Sequence, residues 1–139
     1  MARNDTFHCS VITPERAVLE ADATFVAFPA HDGEVGILPN RAPLLFKMGA
    51  GELRVESPQG NQTLFVDGGF AQMVENRLTL LTEVARKIEE IDPAAVDRQF
   101  EEAHRMPMKT DAEFKARQRV LGSAQAQRQI LARHRGRAA

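Results

Sequence analysis

Leu53-Arg54-Val55-Glu56-Ser57-Pro58-Gln59-Gly60-Asn61-Gln62-Thr63-Leu64-Phe65-Val66 holds two short apolar runs, 53–56 and 63–66, on either side of a cluster of turn residues. Runs this short, rich in branched and aromatic side chains, suit strands. Pro, Gly and Asn between them suit a chain reversal, so the stretch reads as a β-hairpin with a loop of moderate length. Moving outward, residues 70–74 and 78–81 flank Glu75-Asn76-Arg77, a tighter turn in which Asn tolerates the left-handed conformation. Toward the N-terminus, Phe7, Cys9 and Val11 alternate with His8 and Ser10, and residues 23–28 read as a further strand ended by Pro29, which lacks a ladder N–H. Up to about residue 85 the same rhythm persists, as expected of an antiparallel sandwich or barrel.

Two glycine-rich segments lie among these strands: Asp32-Gly33-Glu34-Val35-Gly36-Ile37-Leu38-Pro39 and Asp67-Gly68-Gly69-Phe70. Glycines so placed serve close backbone approach or positive φ. Neither segment continues into Lys-Ser/Thr at the spacing of a phosphate loop, and neither opens a helix, so both read as structural.

From Ile91 the period lengthens from two to nearly four. Asp92 suits an N-cap, Pro93 the first helical position, and Ile91 can staple against Val96 across the cap. Val96, Phe100 and Ala103 form one apolar stripe, and Met106-Pro107 ends the helix. Thr110-Asp111-Ala112-Glu113 has capping-box spacing and leads into a second helix over about 111–135. Its apolar side is thin: Phe114, Val120, Leu121, Ala124, Ile130 and Leu131. The two segments predict an antiparallel helical hairpin that needs further support from the sheet domain or a partner.

The 139 residues suit one domain with a small appendage, and no apolar run approaches the length of a membrane span. Met1-Ala2-Arg3-Asn4-Asp5 resembles neither a secretory nor an organelle-targeting segment, which predicts a cytosolic chain. Cys9 is the single cysteine, which leaves no internal disulfide, and its apolar surroundings predict a packed thiol. His8, His31, His104 and His134 are too scattered for a metal site. Net charge is −1 but unevenly spread. Residues 111–139 hold seven basic residues (Lys115, Arg117, Arg119, Arg128, Arg133, Arg135, Arg137) against Asp111 and Glu113, or +5, which favours an acidic partner.

Enzymatic groups do not assemble in this pattern. There is no Gly-x-Ser-x-Gly elbow, and Asp32 with Glu34 in a glycine-rich turn fits turn chemistry better than acid–base work. A small basic-helix nucleic-acid-binding module is the alternative. Against it, aromatics do not interleave with the basic residues, and the rest of the chain is acidic.

In order, Val11-Ile12-Thr13-Pro14-Glu15, residues 28–39 with their Gly-Glu-x-Gly-Ile-x-Pro centre, Ala42-Pro43-Leu44-Leu45 and Asp67-Gly68-Gly69-Phe70-Ala71 make a series. It resembles the ε subunit of F-type ATP synthase over nearly the whole chain. The resemblance implies an all-β sandwich at 1–88 and a two-helix C-terminal arm at 89–139, in a non-catalytic rotor subunit. The sandwich would clamp the γ subunit and rest on the loops of the c-ring, leaving the chain peripheral to the cytoplasmic face of a bacterial inner membrane. Glu34 then falls at the c-ring junction, and Arg41 near γ, with Asn40-Arg41 standing where the family usually has Gly-His. The arm would reach the α/β hexamer and block hydrolysis through Lys115, Arg117, Arg119, Arg128 and Arg133. Some members bind ATP through Ile/Leu-Asp-x-x-Arg-Ala. Here Ile91-Asp92 match, but Ala95 and Val96 replace the Arg and Ala, so the guanidinium that would grip phosphate is missing and no cofactor is expected.

Overall fold

The computed structural model describes residues 5–137, with side-chain surroundings through His134. The chain divides between Lys87 and Ile88 into two compact units. The first contains β1 (Phe7–Ile12), β2 (Ala17–Ala23), β3 (Phe25–Ala30), β4 (Gly33–Ile37), β5 (Leu44–Lys47), β6 (Ala50–Ser57), β7 (Gly60–Asp67), β8 (Phe70–Val74), β9 (Arg77–Leu81) and β10 (Val84–Lys87). They form two five-stranded sheets, ordered β2-β1-β9-β8-β5 and β10-β7-β6-β3-β4. Alternate residues face inward: Phe7, Cys9 and Val11 from β1 meet Val26, Phe28, Leu53, Val55, Leu64, Val66, Met73, Leu78 and Leu80 in one core. Each such side chain contributes about 1.5–3 kcal/mol of burial.

Several local expectations change. The sandwich is not wholly antiparallel, because β1 and β9 run parallel, His8 opposite Arg77 through Ile12 opposite Leu81. The run 23–28 is not one strand: Ala23 closes β2 in the first sheet, and β3 opens at Phe25 in the second. Thr24 is the corner, tied by its backbone N–H and its hydroxyl to the Glu56 carbonyl at 2.8 and 3.2 Å. Pro29 does not end a strand. It pairs with Glu34 inside the β3–β4 ladder, while the β3–β6 ladder stops at Ala27, so no N–H is required of it on that side.

The β6–β7 loop is shorter than expected, with Ser57 paired to Gly60 around the two-residue turn Pro58-Gln59. The β8–β9 turn is also two residues, because Arg77 belongs to the strand. Glu75 and Asn76 have φ of 49° and 58°, the signs of a type I′ turn whose twist matches its strands. Thr82 marks the second corner, where the chain leaves β9 for β10. Its N–H donates to the Ile12 carbonyl at 3.0 Å, and its hydroxyl lies 3.2 and 3.1 Å from the carbonyls of Asp67 and Val84.

In the second unit a single 3₁₀ turn (Ile88–Glu90) leads to α1 (Pro93–Arg105) and α2 (Asp111–Arg137). The Asp92 carboxylate accepts from Ala94 N at 3.0 Å, and Met106 terminates α1 in an extended conformation. The capping box forms as its spacing predicts. Thr110 N donates to the Glu113 carboxylate, and Glu113 N donates to the Thr110 hydroxyl, both at 3.1 Å. Asp97 near the start of α1 meets Arg128 in the second half of α2, so the helices run antiparallel. The apolar side of α2 departs from expectation in two ways. Phe114 is 47% exposed, while Ser123 and Gln127 are buried beside Leu121, Ala124 and Ile130.

Candidate functional site

Cys9 lies in the sandwich core, and burial pushes its thiol from 9.0 up to about 12, which makes it a poor nucleophile at neutral pH. Among the described residues no cluster of three metal-ligating side chains forms, and no helix is long and apolar enough to cross a membrane.

The surfaces carry more information. On the outward face of the first sheet, register aligns Ile12 with Leu81 and Leu81 with Phe70. Leu81 is 51% and Phe70 53% exposed, and Leu45, two positions before Lys47 on the neighbouring strand, is 68% exposed. Ile12, Thr13, Pro14, Gly69, Phe70, Leu81, Thr82 and Glu83 line an open cleft of about 350 Å³ at the end of this row. Clustered apolar exposure of this kind marks an interaction surface more often than a free one.

Glu34 sits at the same end of the sandwich, and the connection runs through backbone hydrogen bonds. Gly49 N donates to the Pro29 carbonyl beside the β3–β4 turn, Gly68 N donates to the Gly49 carbonyl, and Met48 N donates to the Gly69 carbonyl. Met48 and Gly49 thereby bridge the Gly-Gly corner before Phe70 to the hairpin that presents His31, Asp32 and Glu34 to solvent. Glu34 is ion-paired to Arg54 at 3.2 Å.

Arg41 belongs to the opposite end, since β4 runs away from Glu34 before the chain reaches it. There Asn40, at φ 66°, donates its N–H to the Asn76 side-chain oxygen at 2.6 Å, and Asn76 Nδ2 donates back to Asn40 Oδ1 at 3.2 Å. The β8–β9 turn thus anchors the segment that exposes Arg41. Glu34 and Arg41 are not brought together; they mark two ends of one domain.

The basic residues of α2 separate into two groups. At about 100° per residue, Lys115, Arg119 and Arg133 share one face, and all three are exposed. Arg117 is half-buried, and Arg128 is engaged within the hairpin. Its Nη2 donates to Asp97 Oδ1 at 2.9 Å, and the guanidinium carbon stands 3.9 Å from the centre of the Phe100 ring. The side chains of Arg135 and Arg137 lie outside the described residues.

Residues missed in the sequence are the exposed Leu45, Phe70 and Leu81. Each lies in a strand where alternation alone does not say which apolar position faces the core.

With this geometry in view, the chain compares directly with known proteins. Residues 6–88 match the model of the ATP synthase delta/epsilon chain β-sandwich domain. An ATP synthase epsilon chain from Rhodopirellula baltica is 35% identical over 122 residues, covering 88% of this chain and 95% of that one. Another, from Alkalilimnicola ehrlichii, is 34% identical over 137 residues, covering 96% and 97%. A chain of the Euglena gracilis mitochondrial ATP synthase superposes with a TM-score of 0.83 at 19% identity, covering 94% of this chain and 84% of that one, a likeness of fold. The chain belongs to the ATP synthase delta/epsilon family, whose members are non-catalytic subunits of a membrane-associated complex.

Proposed function

We propose that this subunit is a rotor part that links γ to the c-ring and carries torque between them at the cytoplasmic face of a bacterial inner membrane. The observation that supports this most is the apolar row of half-buried Ile12 and exposed Leu81 and Phe70, with its cleft, beside the Glu34 hairpin. A protein surface of that kind suits permanent contact with a neighbour. In this reading the outer face of the first sheet meets γ, Arg41 extends the contact from the other end, and Glu34 meets the polar loops of the ring. Phe70→Asp tests the first contact: γ should co-purify with the wild-type chain and be lost, by about tenfold or more in affinity, from the variant. Retention of γ at wild-type strength would remove the assignment of this face.

The arm supports a second element of the same reading, inhibition of ATP hydrolysis at the α/β hexamer. Lys115, Arg119 and Arg133 form the exposed basic face suited to an acidic segment, while Arg117 and Arg128 lie on the opposite side of α2 and would have to be released from the hairpin to join the contact. Deleting residues 89–139 should leave synthesis coupled and raise ATP hydrolysis, whereas unchanged hydrolysis would remove that role. The arm holds no regulatory ATP in this reading, because Ala95 offers no phosphate ligand; equilibrium dialysis of ATP against the full chain measures it.

A further inference from the structure

The carboxylate of Glu34 is held by a residue on a strand two places away in the sheet. β3 lies between β4 and β6, and register places Pro29 opposite Glu34 and Ala27 opposite Arg54. Arg54 reaches across β3, and its Nη2 donates to Glu34 Oε1 at 3.2 Å. Its Nε lies 3.8 Å from Oε1 of Glu52, two residues back and therefore on the same face of β6. The two carboxylates differ sharply in exposure: the Glu52 side chain is 6% exposed and the Glu34 side chain 54%. A guanidinium presents its donors in one rigid plane, so it can face a buried carboxylate with Nε while it holds an exposed one with Nη2.

We propose that Arg54 is a positioning residue for docking: steadied by Glu52, it fixes one oxygen of Glu34 and leaves the second to accept from an N–H donor or cation on the partner. The inference rests on the assignment of Glu34 to the ring contact. An exposed glutamate loses rotamer freedom when it docks, and a carboxylate already held in place loses less. Arg54 thereby acts on the partner through Glu34 alone, and that dependence separates positioning from a general structural role.

The full-length chain assembled with γ, fluorescently labelled and titrated onto solubilised c-ring, gives the affinity. Glu34→Ala should weaken it about tenfold and Arg54→Ala about fivefold, while the double variant should be no weaker than Glu34→Ala alone. Two losses that multiply in the double variant, or an Arg54→Ala affinity equal to wild type, would overturn the proposal. An unchanged affinity for Glu34→Ala would remove both the proposal and the assignment beneath it. Arg54→Ala also takes a cation from Glu52, so thermal melting of each variant is read alongside. Arg54→Lys keeps that cation but lacks the fork; it should melt like wild type and still bind about threefold more weakly, a loss that vanishes on the Glu34→Ala background. An Arg54→Lys loss that persists on that background would equally overturn it.

Discussion

Gly68 and Gly69 are neighbours with positive φ, 74° and 101°, yet they are not equivalent. A Cβ on Gly68 would meet nothing within 4 Å, whereas one on Gly69 would overlap the carbonyl oxygen of Leu81. Gly68→Ala is therefore expected to cost only about 1–2 kcal/mol, the left-handed penalty of an L-residue. Gly69→Ala must also move the β9 backbone and should cost about 3 kcal/mol or more, a difference that urea unfolding of the two variants resolves. Cys9 makes a prediction of a different kind. Its thiol is raised from 9.0 to about 12, so the folded state keeps the proton that the unfolded state releases. Its stabilising contribution is complete below pH 9 and declines as pH rises toward 12, by at most about 1.4 kcal/mol per pH unit. The chain has no tyrosine to mask the effect, and Cys9→Ala should flatten the alkaline limb of the stability curve.

At the scale of elements, the α2 interface carries a polar layer. Gln127 is 2% exposed, and its Nε2 donates to Gln99 Oε1 and lies 3.3 Å from both the backbone and hydroxyl oxygens of Ser123. Its own Oε1 is buried without a partner. An unmet buried acceptor costs about 1–3 kcal/mol, so Gln127→Met, similar in length and without that acceptor, is expected to leave arm stability unchanged or raise it by about 1 kcal/mol. Gln127→Ala instead leaves a void and should cost about 1–2 kcal/mol. Hydrogen exchange of the α1 and α2 amides distinguishes them; a clear loss in the Met variant would mean that the amide bonds outweigh the orphan oxygen.

This layer also shows why some elements were legible in sequence and others were not. Asp92, Pro93 and the Thr110–Glu113 pair act through neighbours three residues away at most, so both helix starts could be read directly. The left-handed Asn76 of the β8–β9 turn was legible for the same reason, whereas the two-residue length of that turn was not. Burial of Gln127 depends on what α1 presents across the hairpin, which no local pattern encodes. Likewise β5 and β10 are four residues long and take their identity from β8 and β7, partners distant in sequence. The run 23–28 looked continuous because apolar residues lie on both sides of Thr24, while the sheet changes between them. Of the candidate site, the glycines around Glu34 marked a turn, while Glu34 itself was singled out only by the family resemblance. The apolar row was not visible, since it is assembled by the register of three strands.

At the scale of the whole molecule, the two units differ in how they are built. The sandwich closes one contiguous apolar core drawn from both sheets, whereas the arm buries a narrow stripe interrupted by Ser123 and Gln127. Local opening follows such differences, so amides of residues 93–134 should exchange before those of β7, β8 and β9, as mass-spectrometric hydrogen exchange would detect. Equal protection across both units would mean that they open as one.

The parallel contact of β1 with β9 has a consequence for biogenesis. β1 pairs with β2 as soon as both leave the ribosome, but its other edge waits until residues 77–81 have been made, roughly fifty-five residues after β2 ends. Throughout that interval a nascent chain displays an open strand edge beside Phe7, Cys9 and Val11, the situation in which strands recruit wrong partners. Overproduction should therefore tax chaperone capacity most while translation lies between β2 and β9, and circular permutants that place β1 just after β9 should accumulate in soluble form more readily than the natural order.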